Sequence, residues 1–154
     1  MYFRIHSIKL CNRTLPIEVK KGLIVEDFKP LAEIWRQALS KEGFTSIEHT
    51  DDTDVLEELI SSLQPDLVLM DINLKGRRNG IEAVRDLLLI HPGLPVIFLS
   101  MHGQPHMFEL AMDTGARSYI TKSSPIIELH NAIKAVQQGE LYICEAMRKY
   151  WQNN

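Results

Sequence analysis

Asp66-Leu67-Val68-Leu69-Met70-Asp71-Ile72-Asn73 decides the fold. Four apolar residues run without a polar break and stop at a carboxylate. Such a run is a strand buried on both faces, with Asp71 at its carboxyl end. In an open parallel sheet that end is where ligands bind, so Asp71 is an acid aimed into a site.

Outward from that strand, similar short runs recur. Gly22-Leu23-Ile24-Val25 ends at the adjacent acids Glu26 and Asp27, Pro95-Val96-Ile97-Phe98-Leu99 ends at Ser100, and Ser118-Tyr119-Ile120-Thr121 ends at Lys122. A further short strand is expected near 45–49. Between the strands the apolar period changes to that of a helix. Leu31, Ile34, Trp35, Ala38 and Leu39 form one stripe, with Pro30 in the first turn and Gly43 at the end. Asp51-Asp52-Thr53-Asp54 is expected to cap a second helix, whose inner face is Val55, Leu56, Leu59, Ile60 and Leu63. Asn79 with Glu82 three residues on has the form of a capping box for a third, with Ile81, Val84, Leu87 and Leu88 inward. A fourth helix is expected near 105–114. Ser124 and Pro125 are read as N-cap and first-turn proline of a fifth, burying Ile126, Leu129, Ile133 and Val136.

Five strands alternating with five helices predict an α/β, flavodoxin-like, doubly wound five-stranded parallel sheet, with right-handed crossovers and helices on both faces. The 154 residues suffice for one such domain without staples. A net charge of −3 supplies no basic footprint for nucleic acid or an anionic membrane. Apolar runs fall short of the roughly 20 residues that span a bilayer, and charge interrupts the N-terminus too early for a signal peptide. Cys11 and Cys144 lie outside any ligand-spaced cluster. The expectation is a reduced, cytoplasmic, soluble chain. Residues 1–20 are expected to be a poorly ordered extension, 21–140 the domain, and 141–154 a tail or truncated linker helix with Ile143, Met147, Tyr150 and Trp151 on one face.

The strand ends collect Glu26, Asp27, Asp71, Ser100 and Lys122. Three carboxylates at one edge repel one another unless a cation sits among them, and Mg²⁺ suits hard oxygen ligands and retained waters. A hydroxyl and an ammonium beside them suit an anion arriving on Asp71. This set describes phosphoryl transfer to a carboxylate.

Here the chain from about 21 to 140 resembles the receiver domain of two-component response regulators, the CheY-like family. Val25-Glu26-Asp27 is similar to its acidic pair, and Leu69-Met70-Asp71-Ile72-Asn73 to its phospho-acceptor strand end. Gly80 resembles the glycine opening the next helix, Leu99-Ser100 the switch hydroxyl, and Gly115–Lys122 the aromatic-and-lysine strand. The resemblance implies a receiver phosphorylated by a sensor histidine kinase or phosphotransfer protein rather than a conventional enzyme, though one that assists its own phosphorylation and dephosphorylation. Asp71 would be the acceptor. Mg²⁺ would be held by Asp27, Asp71 and the backbone carbonyl of Asn73, with Glu26 acting through water. Ser100 would swing to the phosphoryl group, Lys122 would contact it, and Tyr119 would rotate inward. The face 104–138 would then meet an output protein or a second copy.

Some positions depart from the family pattern. Lys75 stands where proline is frequent, Met101 where a small residue is frequent, and Ser123 where proline often follows the lysine. The loop to Gly80 is too long by one residue against the family pattern, and Arg77 and Arg78 are expected to add positive charge near the site. The tail resembles the point where LuxR/NarL-type regulators leave the receiver for a helix-turn-helix, but about a dozen residues are too few for that domain. Direct DNA binding is therefore not expected. The rival readings are an interaction module independent of phosphorylation, a truncated transcriptional regulator, a flavodoxin-like flavin or nucleotide binder, and a dehalogenase-type aspartyl-phosphate enzyme. Asn73, where the last class would carry a second Asp, disfavours it. Against the flavin or nucleotide binder, no phosphate loop follows the first strand.

Overall fold

The computed structural model describes residues 18–152, so most of the expected N-terminal extension lies outside the described residues. Its elements are β1 (Lys20–Val25), α1 (Lys29–Lys41), β2 (Phe44–Thr50), α2 (Leu56–Leu63), β3 (Leu67–Asp71), α3 (Gly80–Ile90), β4 (Val96–Ser100), α4 (Pro105–Met112), β5 (Ser118–Thr121), α5 (Ile126–Gln137), β6 (Tyr142–Ile143) and α6 (Glu145–Trp151). The strands form one sheet in the order β2-β1-β3-β4-β5-β6, all pairs parallel. Five of the strands are those expected. The sixth is a two-residue addition built from what the sequence suggested was linker.

The continuous apolar runs are buried as their composition requires. Every residue of β3, β4 and β5 is buried, with helices on both faces. Leu39 of α1 lies over Gly22, while Phe108 of α4 packs edge-on against Tyr119, on the opposite face. α5 packs against α1. These layers carry a consequence for handedness. α1 and α4 lie on opposite faces and move the chain in opposite directions across the sheet, so their crossovers share one hand. α5 lies on α1's face yet moves the chain in α4's direction, from β5 outward to β6. The final crossover therefore has the other hand, the rare left-handed one. Right-handed crossovers hold as expected up to β5 and fail at the added strand.

Helix ends correct several local expectations. Asn79 accepts from the Glu82 amide at 3.0 Å and Glu82 returns the bond at 3.1 Å, completing the capping box. The 51–54 cluster does not cap α2, whose N-cap is Val55. Its groups are spent on their own turn, Asp52 Oδ1 accepting from the Asp54 amide at 2.8 Å. Ser124 does not cap α5; Pro125 holds that position and the Ser124 hydroxyl pairs with Thr121 Oγ1 at 2.7 Å. Ile34, Val55 and Ile126, expected inside, are exposed, because Ala32 and Trp35 turn inward in α1 and both α2 and α5 start one residue late.

Gly80 meets the end of β3 so closely that a β-carbon there would stand 2.1 Å from the Asp71 carbonyl oxygen. Backbone on both sides leaves no flexible end to yield. Gly80→Ala is expected to cost about 1–3 kcal/mol, as overpacking does, measured by urea denaturation against the parent.

Three tyrosines make stability pH-dependent. Burial pushes the Tyr119 phenol up, and burial together with the Glu128 carboxylate does the same at Tyr142. The half-buried Tyr150 is raised chiefly by its hydrogen bond to Glu109. A raised pKa in the folded state means the unfolded chain loses these protons first. The contribution is full below the ordinary value of 10.0 and lost as pH rises through the folded values. Urea midpoints should be flat from pH 8 to 9 in this respect and fall towards pH 11, with a shallower fall in Tyr142→Phe.

Candidate functional site

Parallel strands bring their carboxyl ends to one edge, and the register sets which side chains meet there. Val25 pairs with Met70, Asp71 with Leu99, and Ser100 with Thr121. Glu26, Asp27, Asp71, Ser100 and Lys122 thus leave adjacent strands within one or two residues of a common line. The strand ends are tied beyond the ladder, the Ile72 amide donating to Leu99 O at 3.0 Å and the Lys122 amide to Ser100 O at 2.7 Å.

The acids converge as the sequence suggests. Carboxylate oxygens of Glu26, Asp27 and Asp71 all lie within 4.8 Å of one another. Glu26 and Asp71 are almost fully buried at 0% and 2% exposure, and Asp27 is half-buried. Lys122, its side chain only 6% exposed, reaches both buried acids, 2.7 Å from Glu26 Oε2 and 3.0 Å from Asp71 Oδ2. One ammonium among three carboxylates leaves an excess of two negative charges in a largely desolvated place. Like charges there cost heavily unless a further cation enters. The donor set, all hard oxygen and partly open through Asp27, fits a divalent ion such as Mg²⁺.

Further bonds fix the acids. Asp71 Oδ1 accepts from the Asn73 amide at 3.0 Å. Glu26 accepts from the Phe28 amide at 3.2 Å and from the Trp35 indole at 3.4 Å, and its carbonyl meets His49 Nε2 at 2.8 Å. Trp35 and His49 were not identified as site residues from sequence. Trp35 reads as core packing there, and His49 gains its partner only through the pairing of β1 with β2.

Ser100 and Tyr119 share an acceptor. The Ser100 hydroxyl donates to His102 O at 2.9 Å and the Tyr119 hydroxyl donates to the same carbonyl at 3.2 Å. Ser100 is thus engaged away from Asp71, and Tyr119 is already inside, its ring fully buried. Its raised pKa keeps it a protonated donor. The His102 side chain is exposed, and what Ser100 and Tyr119 share is its backbone carbonyl, which side-chain chemistry does not announce.

Arg77 and Arg78 do not serve the acid cluster. Arg78 binds Asp86 at 2.8 Å and Thr53 O at 3.1 Å, tying the β3–α3 loop to α2, while Arg77 is 88% exposed beside Asp54. Met101 is half exposed. Among the described residues, no helix is long and apolar enough to cross a membrane.

Known proteins share this arrangement. The chain is 34% identical over 122 residues to the transcriptional regulatory protein DegU of Brevibacillus brevis, covering 79% of this chain and 51% of that one. It therefore spans about half the length of that curated relative. A LuxR-family two-component response regulator from Aurantimonas sp. SI85-9A1 superposes with a TM-score of 0.75 at 27% identity, over 82% of this chain and 89% of that chain. The isolated REC domain of RcsB from Salmonella enterica serovar Typhimurium, determined with the phosphomimetic BeF3−, gives 0.79 at 19% identity, over 85% and 97%, a likeness of fold. Residues 23–134 match the response regulator receiver domain. With its parallel sheet and its acids gathered at one edge, the chain belongs to the response regulator receiver domain family, the phospho-accepting modules of two-component systems.

Proposed function

We propose that Asp71 accepts a phosphoryl group from a histidine kinase or phosphotransfer protein, with Mg²⁺ held by Asp27, Asp71 and the carbonyl of Asn73 and contacted by Glu26 through water. The observation that carries this reading is the buried cluster itself, three carboxylates sharing one lysine at the carboxyl edge of the sheet. A merely structural site would gain by losing an acid.

The chemistry is a displacement at phosphorus. A lone pair on an Asp71 carboxylate oxygen forms the new bond, and the bond from phosphorus to the donor's imidazole nitrogen breaks with its electron pair leaving on that nitrogen. The Asn73 amide and Lys122 each hold one Asp71 oxygen, and a carboxylate oxygen has lone pairs beyond those two contacts. They fix the carboxylate plane for attack. When bound, Mg²⁺ supplies Lewis-acid neutralisation of the phosphoryl oxygens. Lys122, which touches both Glu26 and Asp71, would stay beside Asp71 to meet the charge of the incoming phosphoryl group.

Ser100 completes the set by turning from His102 O to a phosphoryl oxygen. The exchange gives up a neutral hydrogen bond worth about 0.5–1.5 kcal/mol for a charge-assisted one of about 1.5–3 kcal/mol. The His102 carbonyl then keeps Tyr119 as its donor, and the 101–104 loop is free to shift with it. The resulting change of surface is the signal, read in the cytoplasm by a protein partner or a second copy.

Incubation with acetyl phosphate should add one phosphoryl group, about 80 Da by intact mass. The adduct should form with Mg²⁺, fail with chelator, and fail in Asp71→Asn. Lys122→Gln should slow its formation about 100-fold, the scale for removing one aligned cationic donor. An adduct that persists in Asp71→Asn would move the acceptor elsewhere. No adduct, with no Mg²⁺ binding by titration, would favour the phosphorylation-independent interaction module.

The charge excess makes a second expectation. In chelator, Asp71→Asn should melt a few degrees above the parent, because it removes one of three crowded carboxylates. Mg²⁺ should stabilise the parent more than the variant, as followed by calorimetry.

A further inference from the structure

The segment 141–151 packs back onto the sheet and α4. β6 pairs with β5, the Tyr142 amide donating to Arg117 O at 3.0 Å and the Cys144 amide to Tyr119 O at 3.1 Å. α6 then crosses the edge of the sheet to α4. Phe108 stands at the centre of its contacts, meeting Tyr119 at 5.3 Å, Trp151 at 5.4 Å and Tyr150 at 6.4 Å between ring centroids, each edge to face. The Tyr150 hydroxyl donates to Glu109, and the Tyr142 hydroxyl to Glu128. Met147 is buried with its sulfur over Gly103, so close that a β-carbon at 103 would lie 2.9 Å from it. The chain's own end therefore covers the α4 side of the face expected to meet a partner.

We propose that this strand and helix form a strap whose docking is set by the state of the Asp71 site, so that filling that site with a phosphoryl group or its mimic releases α6. The proposal rests on the phospho-acceptor reading above. Three contacts couple the two. His102 O holds both Ser100 and Tyr119, and the next residue, Gly103, seats Met147. Tyr119 holds the strap directly, its carbonyl on Cys144 and its ring on Phe108. Turning Ser100 towards Asp71 removes a donor from His102 O and lets the 101–104 loop move beneath Met147.

The strap is built to let go. Its strand is two residues long and is reached by the left-handed crossover. Its helix has seven residues, too short to persist without its packing, so undocking amounts to local unfolding. Cys144, fully buried at the junction, is a built-in probe, and Cys11→Ser makes it the single thiol.

The experiment uses the full chain carrying Cys11→Ser, with Mg²⁺ and beryllofluoride as the phosphoryl mimic. Binding is followed by fluorine NMR and release by the rate of maleimide labelling at Cys144. Saturating beryllofluoride is expected to accelerate labelling about tenfold, within the usual range of coupling between sites, with no acceleration in Asp71→Asn. Linkage requires the reverse effect. Tyr150→Phe with Trp151→Ala, which strips the strap of its ring contacts, should tighten beryllofluoride binding, reaching the same factor where docking is lost. A structural cap unconnected to the site would not do this. If beryllofluoride binds but neither quantity changes, the strap is static and this inference falls alone. If it does not bind, the phospho-acceptor reading fails and the coupling with it.

Discussion

Lys122 is the contact on which the site depends. Its ammonium, buried at the end of β5, touches Glu26 from β1 and Asp71 from β3. Without it, two desolvated carboxylates would face a third with no counter-charge, and the cost of burying them would oppose the packing of the sheet beneath. One lysine can balance only part of that charge. The fold thus holds an edge that is electrostatically incomplete, with a cluster able to coordinate a divalent cation. Structure and chemistry share one imbalance.

The parallel sheet makes such an edge affordable. Leu23, Ile24 and Val25 and the whole of β3 and β4 are buried among helices on both faces, so the backbone at the strand ends is held by a wide, dense core. The site's side chains stand at the last residue of a strand or just past it, where the ladder still fixes their spacing, and half-buried Asp27 opens the cluster to water. Gly80 continues the logic from the other side. By carrying no β-carbon it lets α3 start directly against the Asp71 carbonyl, closing the loop 72–79 back onto the end of β3.

Much of this was legible in the sequence because it depends on local pattern. Unbroken apolar runs marked the strands, and the Asn79–Glu82 spacing marked a capping box that forms as read. The residues at the strand ends could be listed because a parallel topology brings them to one edge. What stayed hidden depends on register or on competition between equivalent local choices. Asp52 satisfies its own turn instead of α2, and Ser124 prefers Thr121 to α5. Ile34 and Trp35 both fit a helical stripe, but the face that turns inward is that of Ala32, Trp35, Ala38 and Leu39, with the indole bonded to Glu26. Tyr142 and Ile143 read as part of a helix because two residues are too few to show a period of two. Their strand exists only because β5 offers an open edge.

That open edge explains why the chain's end folds where it does. A five-stranded sheet would leave the outer amides and carbonyls of β5 without ladder partners, a template for pairing with any other strand. The chain covers it with its own residues, but must arrive from α5, on the face that gives the disfavoured hand. α5 packs against the added strand from that face, where the Tyr142 hydroxyl donates to Glu128. On the far side the ring cluster around Phe108 and the thioether over Gly103 hold the segment that follows. Tyr119 stands where this cluster meets the acid site, its phenol on His102 O and its carbonyl on Cys144. Tyr119 thereby touches both the loop beside Asp71, through its phenol, and the segment that covers the β5 edge, through its backbone.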